Sequence, residues 1–205
     1  MSEKRFGMLI DLSTCIGCNA CAVACKQEND VPQGCFNTWV ESWDVDADGR
    51  TRRANMPKLC NHCADAPCVK VCPTGASWRT DEGVVLVDAD KCIGCKYCMA
   101  ACPYQVRWVN EAGEVDKCTL CYHRTSNGLL PACVSTCVTR SRYFGDLNDP
   151  ESDISKKIAE VGAEGLYADL RLEPSVLYVG LSEVEGMPVA SAIHRGGNVI
   201  KPYEG

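Results

Sequence analysis

No apolar run in this chain reaches the roughly 18 residues needed to cross a bilayer, so no membrane span is expected. The first residues, Met1-Ser2-Glu3-Lys4-Arg5-Phe6, hold neither an apolar signal core nor a twin arginine, and no export signal is read there. Histidine is scarce, with three in 205 residues, and neither His123 nor His194 has a partner signal. G-x-G-x-x-G, the P-loop and a paired nucleophile and base are all missing, so the chain is expected to carry no substrate chemistry of its own. The formal charge is −6, opposite to that of a nucleic-acid partner.

What the chain has is cysteine, 17 residues of it. A disulfide framework is the usual reading of so much cysteine, but such scaffolds are short, secreted and even-numbered. Here the count is odd and the residues fall in tight quartets. Quartet I is Cys15, Cys18, Cys21 and Cys25; quartet II is Cys60, Cys63, Cys68 and Cys72. Quartet III is Cys92, Cys95, Cys98 and Cys102; quartet IV is Cys118, Cys121, Cys133 and Cys137. Cys35 belongs to none of them and reads as a free or buried structural thiol.

Quartet III, C-x2-C-x2-C-x3-C followed by Pro103, is the bacterial iron–sulfur ligand run. In such a run three thiolates on a tight loop hold one [4Fe–4S] cube. The fourth lies a helical turn further on and ligates a different cube. Each quartet therefore needs another with which to exchange. Quartet I nearly repeats the text of quartet III 77 residues upstream, which implies duplicated units. Gly17 and Gly94 suit a loop whose backbone approaches a cluster closely.

Gap lengths alone do not choose the partners. Proline does: Pro73 and Pro103 follow Cys72 and Cys102, whereas Lys26 and Val138 follow Cys25 and Cys137. That symmetry pairs quartet II with III and quartet I with IV. The expected ligand sets are Cys60/Cys63/Cys68/Cys102, Cys92/Cys95/Cys98/Cys72, Cys15/Cys18/Cys21/Cys137 and Cys118/Cys121/Cys133/Cys25. Four cubes at a formal −2 would take the charge from −6 to about −14. Lys26, Lys70, Lys96 and Lys117 lie beside cysteines and could offset it, solvated surface lysines being the alternative. Zinc is the rival metal, since C-x2-C pairs also bind it. The compact runs crowd too many thiolates together for separate tetrahedral sites. His62 stands between two ligands, but four cysteines already complete each cube, so it is not counted as a ligand.

The fold class expected is α+β. Two nested ferredoxin-like units with short hairpins and helices are followed by a C-terminal extension. The outer unit takes residues 1–34 and 103–150, the inner unit 58–102, and a hairpin insertion 35–57. Strands are expected at Phe6–Asp11, Trp39–Val45, Arg50–Asn55, Trp78–Arg79, Val84–Val87, Val106–Val109, Val115, Tyr143–Leu147 and Val176–Leu181. Ile154, Ile158 and Val161 predict an amphipathic helix over 153–161. Residues 151–205, free of cysteine, read as a partner-docking extension, with 183–205 either an extended arm or disordered. Trp39, Trp43, Trp78 and Trp108 read as packing residues, and Tyr97 and Tyr104 as shields over clusters.

The four-quartet order over residues 5–150 resembles the four-cluster electron-transfer subunit of the molybdopterin oxidoreductases. That group includes the dimethyl sulfoxide, polysulfide, thiosulfate and tetrathionate reductases. Cys60-Asn61-His62-Cys63, Pro67-Cys68, Cys72-Pro73-Thr74-Gly75-Ala76, Cys102-Pro103-Tyr104 and Gly145-Asp146-Leu147 fit it as well, most of all its polysulfide and thiosulfate branch. Some relatives carry tryptophan and a three-iron cluster in quartet III. Cys95 is present here, so four [4Fe–4S] clusters are expected. Val138 departs from the usual proline. The resemblance implies the same nested pairing and an electron relay between a molybdopterin-containing catalytic subunit and a membrane anchor subunit with a quinone site. It implies membrane association through those partners, on the cytoplasmic side or exported with a twin-arginine partner. A polyferredoxin-type subunit serving a formate dehydrogenase or hydrogenase is the alternative.

Overall fold

A computed structural model of the chain describes residues 4–47 and 50–184. The elements in order are β1 (Phe6–Asp11), α1 (Ala20–Glu28), β2 (Thr38–Ala47), β3 (Arg50–Leu59), α2 (Pro67–Lys70), β4 (Ser77–Arg79) and β5 (Val85–Val87). There follow α3 (Tyr97–Ala100), β6 (Trp108–Val109), β7 (Val115–Asp116), α4 (Tyr122–Thr125), α5 (Ala132–Ser135), β8 (Arg142–Asp146), α6 (Asp153–Val161) and β9 (Val176–Val179). Small sheets and short helices thus alternate, as the α+β expectation requires.

β1 is the spine. Its Met8-Leu9-Ile10 run is apolar without alternation and fully buried, which suits a central strand covered on both faces. β8 pairs with it antiparallel, from Phe6↔Asp146 to Ile10↔Arg142. β9 pairs on the other side in parallel, from Met8↔Val176 to Asp11↔Val179. Val176 and Tyr178 are buried there, and the Tyr178 hydroxyl donates to the Pro57 carbonyl at 3.0 Å. The cysteine-free stretch from residue 151 therefore supplies a strand of the main sheet and a helix against β8. The arm expected at 183–205 falls almost wholly outside the described residues.

β2 and β3 form a long hairpin in register from Thr38↔Leu59 to Ala47↔Arg50. The turn expected at Asp48-Gly49 lies outside the described residues. β4–β5 and β6–β7 are the two short hairpins read from the valine pattern. α6 runs over the residues its periodicity predicts. Ser152 caps it, its hydroxyl accepting the Ser155 N–H at 3.2 Å, and Ile154 is its fully buried residue. Trp39 and Trp108 are packing residues, but Trp78 is 41% exposed. Among the described residues no helix is long and apolar enough to cross a membrane.

Candidate iron–sulfur centres

All seventeen cysteines are free thiols. The four quartets share one backbone device. The residue before each second cysteine has positive φ: Gly17 at 69°, His62 at 44°, Gly94 at 65° and Leu120 at 51°. Such a left-handed residue turns successive backbone N–H groups toward one concavity, the nest geometry of many anion and iron–sulfur sites. Glycine takes it freely in quartets I and III. At His62 and Leu120 it costs about 1 kcal/mol or more. Both are fully buried side chains, so packing over-determines the strained turn.

After each loop a short helix lifts the third cysteine into the body. Cys21 lies on α1, Cys68 on α2, Cys98 on α3 and Cys133 on α5. α1 packs against α5 and α2 against α3. The fourth cysteines of quartets I and II each lie near cysteines of another quartet. The Asn29 side-chain amide donates to Cys25 Sγ at 3.5 Å and to Cys121 Sγ at 3.7 Å, so one residue of quartet I stands beside one of quartet IV. A cavity enclosing about 320 Å³ free of protein atoms, part of it open to solvent, is lined by Cys72, Cys92, Cys95 and Cys98. Three of those come from quartet III and one from quartet II.

The sulfurs receive donors. Cys72 Sγ accepts the Ser77 N–H at 3.3 Å, and Cys92 Sγ accepts the Val115 N–H at 3.5 Å. Cys118 Sγ accepts the Leu120 N–H at 3.4 Å. Cys137 Sγ and the Ser141 hydroxyl are 3.2 Å apart. For Cys72 and Cys137, burial raises the thiol pKa, yet donors from Ser77 and Thr74, and from Ser141 and Thr139, outweigh it and leave both below the usual value. At Cys25, Cys63 and Cys118 burial wins. Cys25 and Cys63 are each pushed up to about 12, by burial first and by neighbouring thiolates second. Cys118 is raised well above the usual value by burial, then by Cys25, Cys133 and Cys60. Such thiols stay protonated at neutral pH unless a metal replaces the proton.

Four cations are buried among the described residues; Lys58 pairs with Glu41, and the other three lie among the cysteine loops. Arg142 is 4% exposed and donates to Cys21 Sγ at 3.4 Å and to the Thr38 hydroxyl at 3.1 Å. Arg107 is 2% exposed and donates to the Ser77 hydroxyl at 2.9 Å. Lys117 is 1% exposed and donates to the carbonyls of Val85 and Cys118. Of the four lysines singled out from sequence, Lys117 alone is buried. Lys70 and Lys96 are exposed, and Lys26 is half-buried, donating to the carbonyls of Pro32 and Cys35. The two arginines escaped the sequence reading, although each stands five residues after the last cysteine of its quartet. His62 is buried and neutral. Its Nδ1 accepts the Val85 N–H at 3.0 Å, which puts the ring proton on Nε2. Tyr104 is half-buried, its hydroxyl donating to the Leu166 carbonyl, whereas Tyr97 is 62% exposed.

Nests, free thiols in facing sets, N–H donors to sulfur and internal cations together fit iron–sulfur cubes. Among the described residues no three ligating side chains close to single-ion distance.

The fold and the cysteine framework thus define a [4Fe–4S] protein of the ferredoxin type, and the 4Fe-4S dicluster domain model matches residues 52–147. A tetrathionate reductase subunit of Salmonella typhimurium is 44% identical over 192 residues, 91% of this chain and 77% of its own length. A polysulfide reductase polypeptide of Wolinella succinogenes is 42% identical over 160 residues, 76% of this chain and 84% of its own. A putative dimethyl sulfoxide reductase iron-sulfur subunit of Halobacterium salinarum is 40% identical, covering 90% and 82% respectively. The protein belongs to this family, the iron–sulfur electron-transfer subunits of the molybdopterin oxidoreductases.

Proposed function

We propose that the chain relays single electrons through four [4Fe–4S] clusters between a molybdopterin-containing catalytic subunit and a quinone-linked membrane subunit. In this reading the sixteen quartet cysteines hold the clusters in crossed sets: Cys15/Cys18/Cys21/Cys137, Cys118/Cys121/Cys133/Cys25, Cys60/Cys63/Cys68/Cys102 and Cys92/Cys95/Cys98/Cys72. The observation that carries it is the cavity shared by Cys72 with Cys92, Cys95 and Cys98. Residues 1–34 with 103–150, and 58–102, are then the two nested units, and 35–57 is the hairpin between them.

When bound, each cluster supplies a site that gains or loses one electron at a time. The chain's own residues do the rest. Cys118, Cys121, Cys133 and Cys25 are all buried, as are Cys60, Cys63 and Cys68, while Cys18 and Cys95 are exposed. The first and last sets thus reach the surface and the middle two lie deeper, with Cys102 half-buried. Cys118 feels Cys60 electrostatically, which makes the two buried sets neighbours. Polysulfide, tetrathionate or dimethyl sulfoxide specificity resides in the catalytic partner.

Single-ligand variants test the crossing. Cys102→Ser is expected to perturb the spectroscopic signal assigned to Cys60, Cys63 and Cys68, and to leave that of Cys92, Cys95 and Cys98 intact. Damage to the latter instead would reverse the pairing. Copurification with a large molybdenum-containing subunit tests the relay, whereas a free polyferredoxin would purify without one.

A further inference from the structure

Arg107 and Arg142 stand at the same interval after two different quartets. Arg107 follows Cys102 by five residues and Arg142 follows Cys137 by five, and those cysteines close the second quartet of each unit. Each guanidinium is buried, and neither pairs with a carboxylate among the described residues. A buried charge without a counter-ion costs several kcal/mol, so each needs an anion close by. The charges that bear on Arg107 are those of Cys68, Cys60, Cys98 and Cys102. These belong to both ligand sets of the inner unit. The thiols that bear on Arg142 are Cys133 and Cys21, and it acts in turn on Cys15 and Cys25. These belong to both sets of the outer unit. Arg107 shows a further sign. Its Nη1 is buried with no hydrogen-bond partner, and the residue lines the cavity of Cys72, Cys92, Cys95 and Cys98. Lys117, by contrast, is tied to two backbone carbonyls, which gives it a structural role.

We infer that Arg107 and Arg142 are twin internal counter-cations, each shared by the two clusters of one unit and each holding the reduction potentials of both upward. The inference rests on the four-cluster reading above. Reduction adds one electron, and hence one negative charge, to a thiolate-held cube. A fixed cation a few ångströms away in a poorly screened interior favours the more negative form. Sharing one cation between two sites moves both potentials in the same direction. Both arginines are tuning residues, since the cysteines alone hold the iron.

The test is a mediated redox titration of the intact complex, with dithionite as reductant and ferricyanide as oxidant, read by electron paramagnetic resonance. Arg107→Gln, which keeps a donor for Ser77 without the charge, is expected to lower the potentials of two of the four clusters. The reduced-to-oxidised ratio at the wild-type midpoint should fall at least about tenfold, which is about 59 mV for one electron. Arg142→Gln should lower the other two, and Arg107→Lys should restore most of the inner pair. Four unchanged potentials in a fully iron-loaded Arg107→Gln complex would overturn the inference, as would a shift confined to one cluster. If the glutamine variant loses iron, loss of both inner clusters with retention in Arg107→Lys supports the shared countercharge, and loss of a single cluster, or loss in the lysine variant too, overturns it. A wild-type complex with fewer than four signals would instead sink the four-cluster reading, so the two failures are distinct.

Discussion

Gly94→Ala probes the loop that carries Cys92 and Cys95. Gly94 has φ of 65°, and a β-carbon there would lie 2.4 Å from the carbonyl oxygen of Gly113 in the β6–β7 turn. Contacts below 3.0 Å essentially never occur, so turn and loop must separate by about 0.6 Å. The turn yields little, because Asn110 and Glu114 lock it through bonds of 2.9 Å in both directions. Left-handed backbone costs alanine about 1–2 kcal/mol. Moving the hairpin also loosens the Val115 N–H bond to Cys92 Sγ, worth about 1 kcal/mol. The total of about 3 kcal/mol corresponds to roughly a hundredfold weaker hold on iron at that site. Timed chelator challenge, followed by iron analysis and electron paramagnetic resonance, is the assay. Iron should fall from about sixteen to about twelve per chain, with one cluster signal lost. Gly17→Ala is the control, because there the obstacle is the Asn55 side chain at 2.4 Å, not backbone. Adding Asn55→Ala should recover part of the Gly17→Ala loss, a non-additivity that has no counterpart at Gly94. Full iron and wild-type chelator resistance in Gly94→Ala would refute the pinned-loop reasoning.

Tyr178→Phe removes the buried hydroxyl that serves the Pro57 carbonyl, and denaturant midpoints should report a loss of about 1–2 kcal/mol. An unchanged midpoint would mean that β9 is not held to the long hairpin through this bond. Ser152→Ala removes the cap of α6 and should cost about 1 kcal/mol, with Ser152→Asp recovering most of it. Equal losses in the two variants would point to the Ser152 donation to the Asp146 carbonyl, and not to the cap.

Much of this molecule was legible because its chemistry is written in short range. C-x2-C spacing, proline after Cys72 and Cys102, and period-2 valines at Val85–Val87 and Val115 act within a few residues. The short hairpins and α6 fell where these signals put them. What escaped was long-range. Val176 and Tyr178 read as a strand, but nothing local says that it pairs with β1, far away in the sequence. Burial is long-range too. Lysines beside cysteines read equally as countercharges or as solvated side chains, and Lys70 and Lys96 are of the second kind. Arg107, just ahead of β6, and Arg142, at the start of β8, stand inside because the packing of those strands puts them there. The five-residue interval after Cys102 and Cys137 was a usable signal. The positive φ at His62 and Leu120 was not, since only the two glycine loops advertise that conformation.

In the proposed wiring sixteen cysteines from four quartets hold four cubes. Iron and acid-labile sulfide, measured on anaerobically purified protein, count them. About sixteen of each per molecule, in a brown protein, is the predicted result. A colourless protein with about four zinc ions, or a brown one with about eight iron, would contradict it.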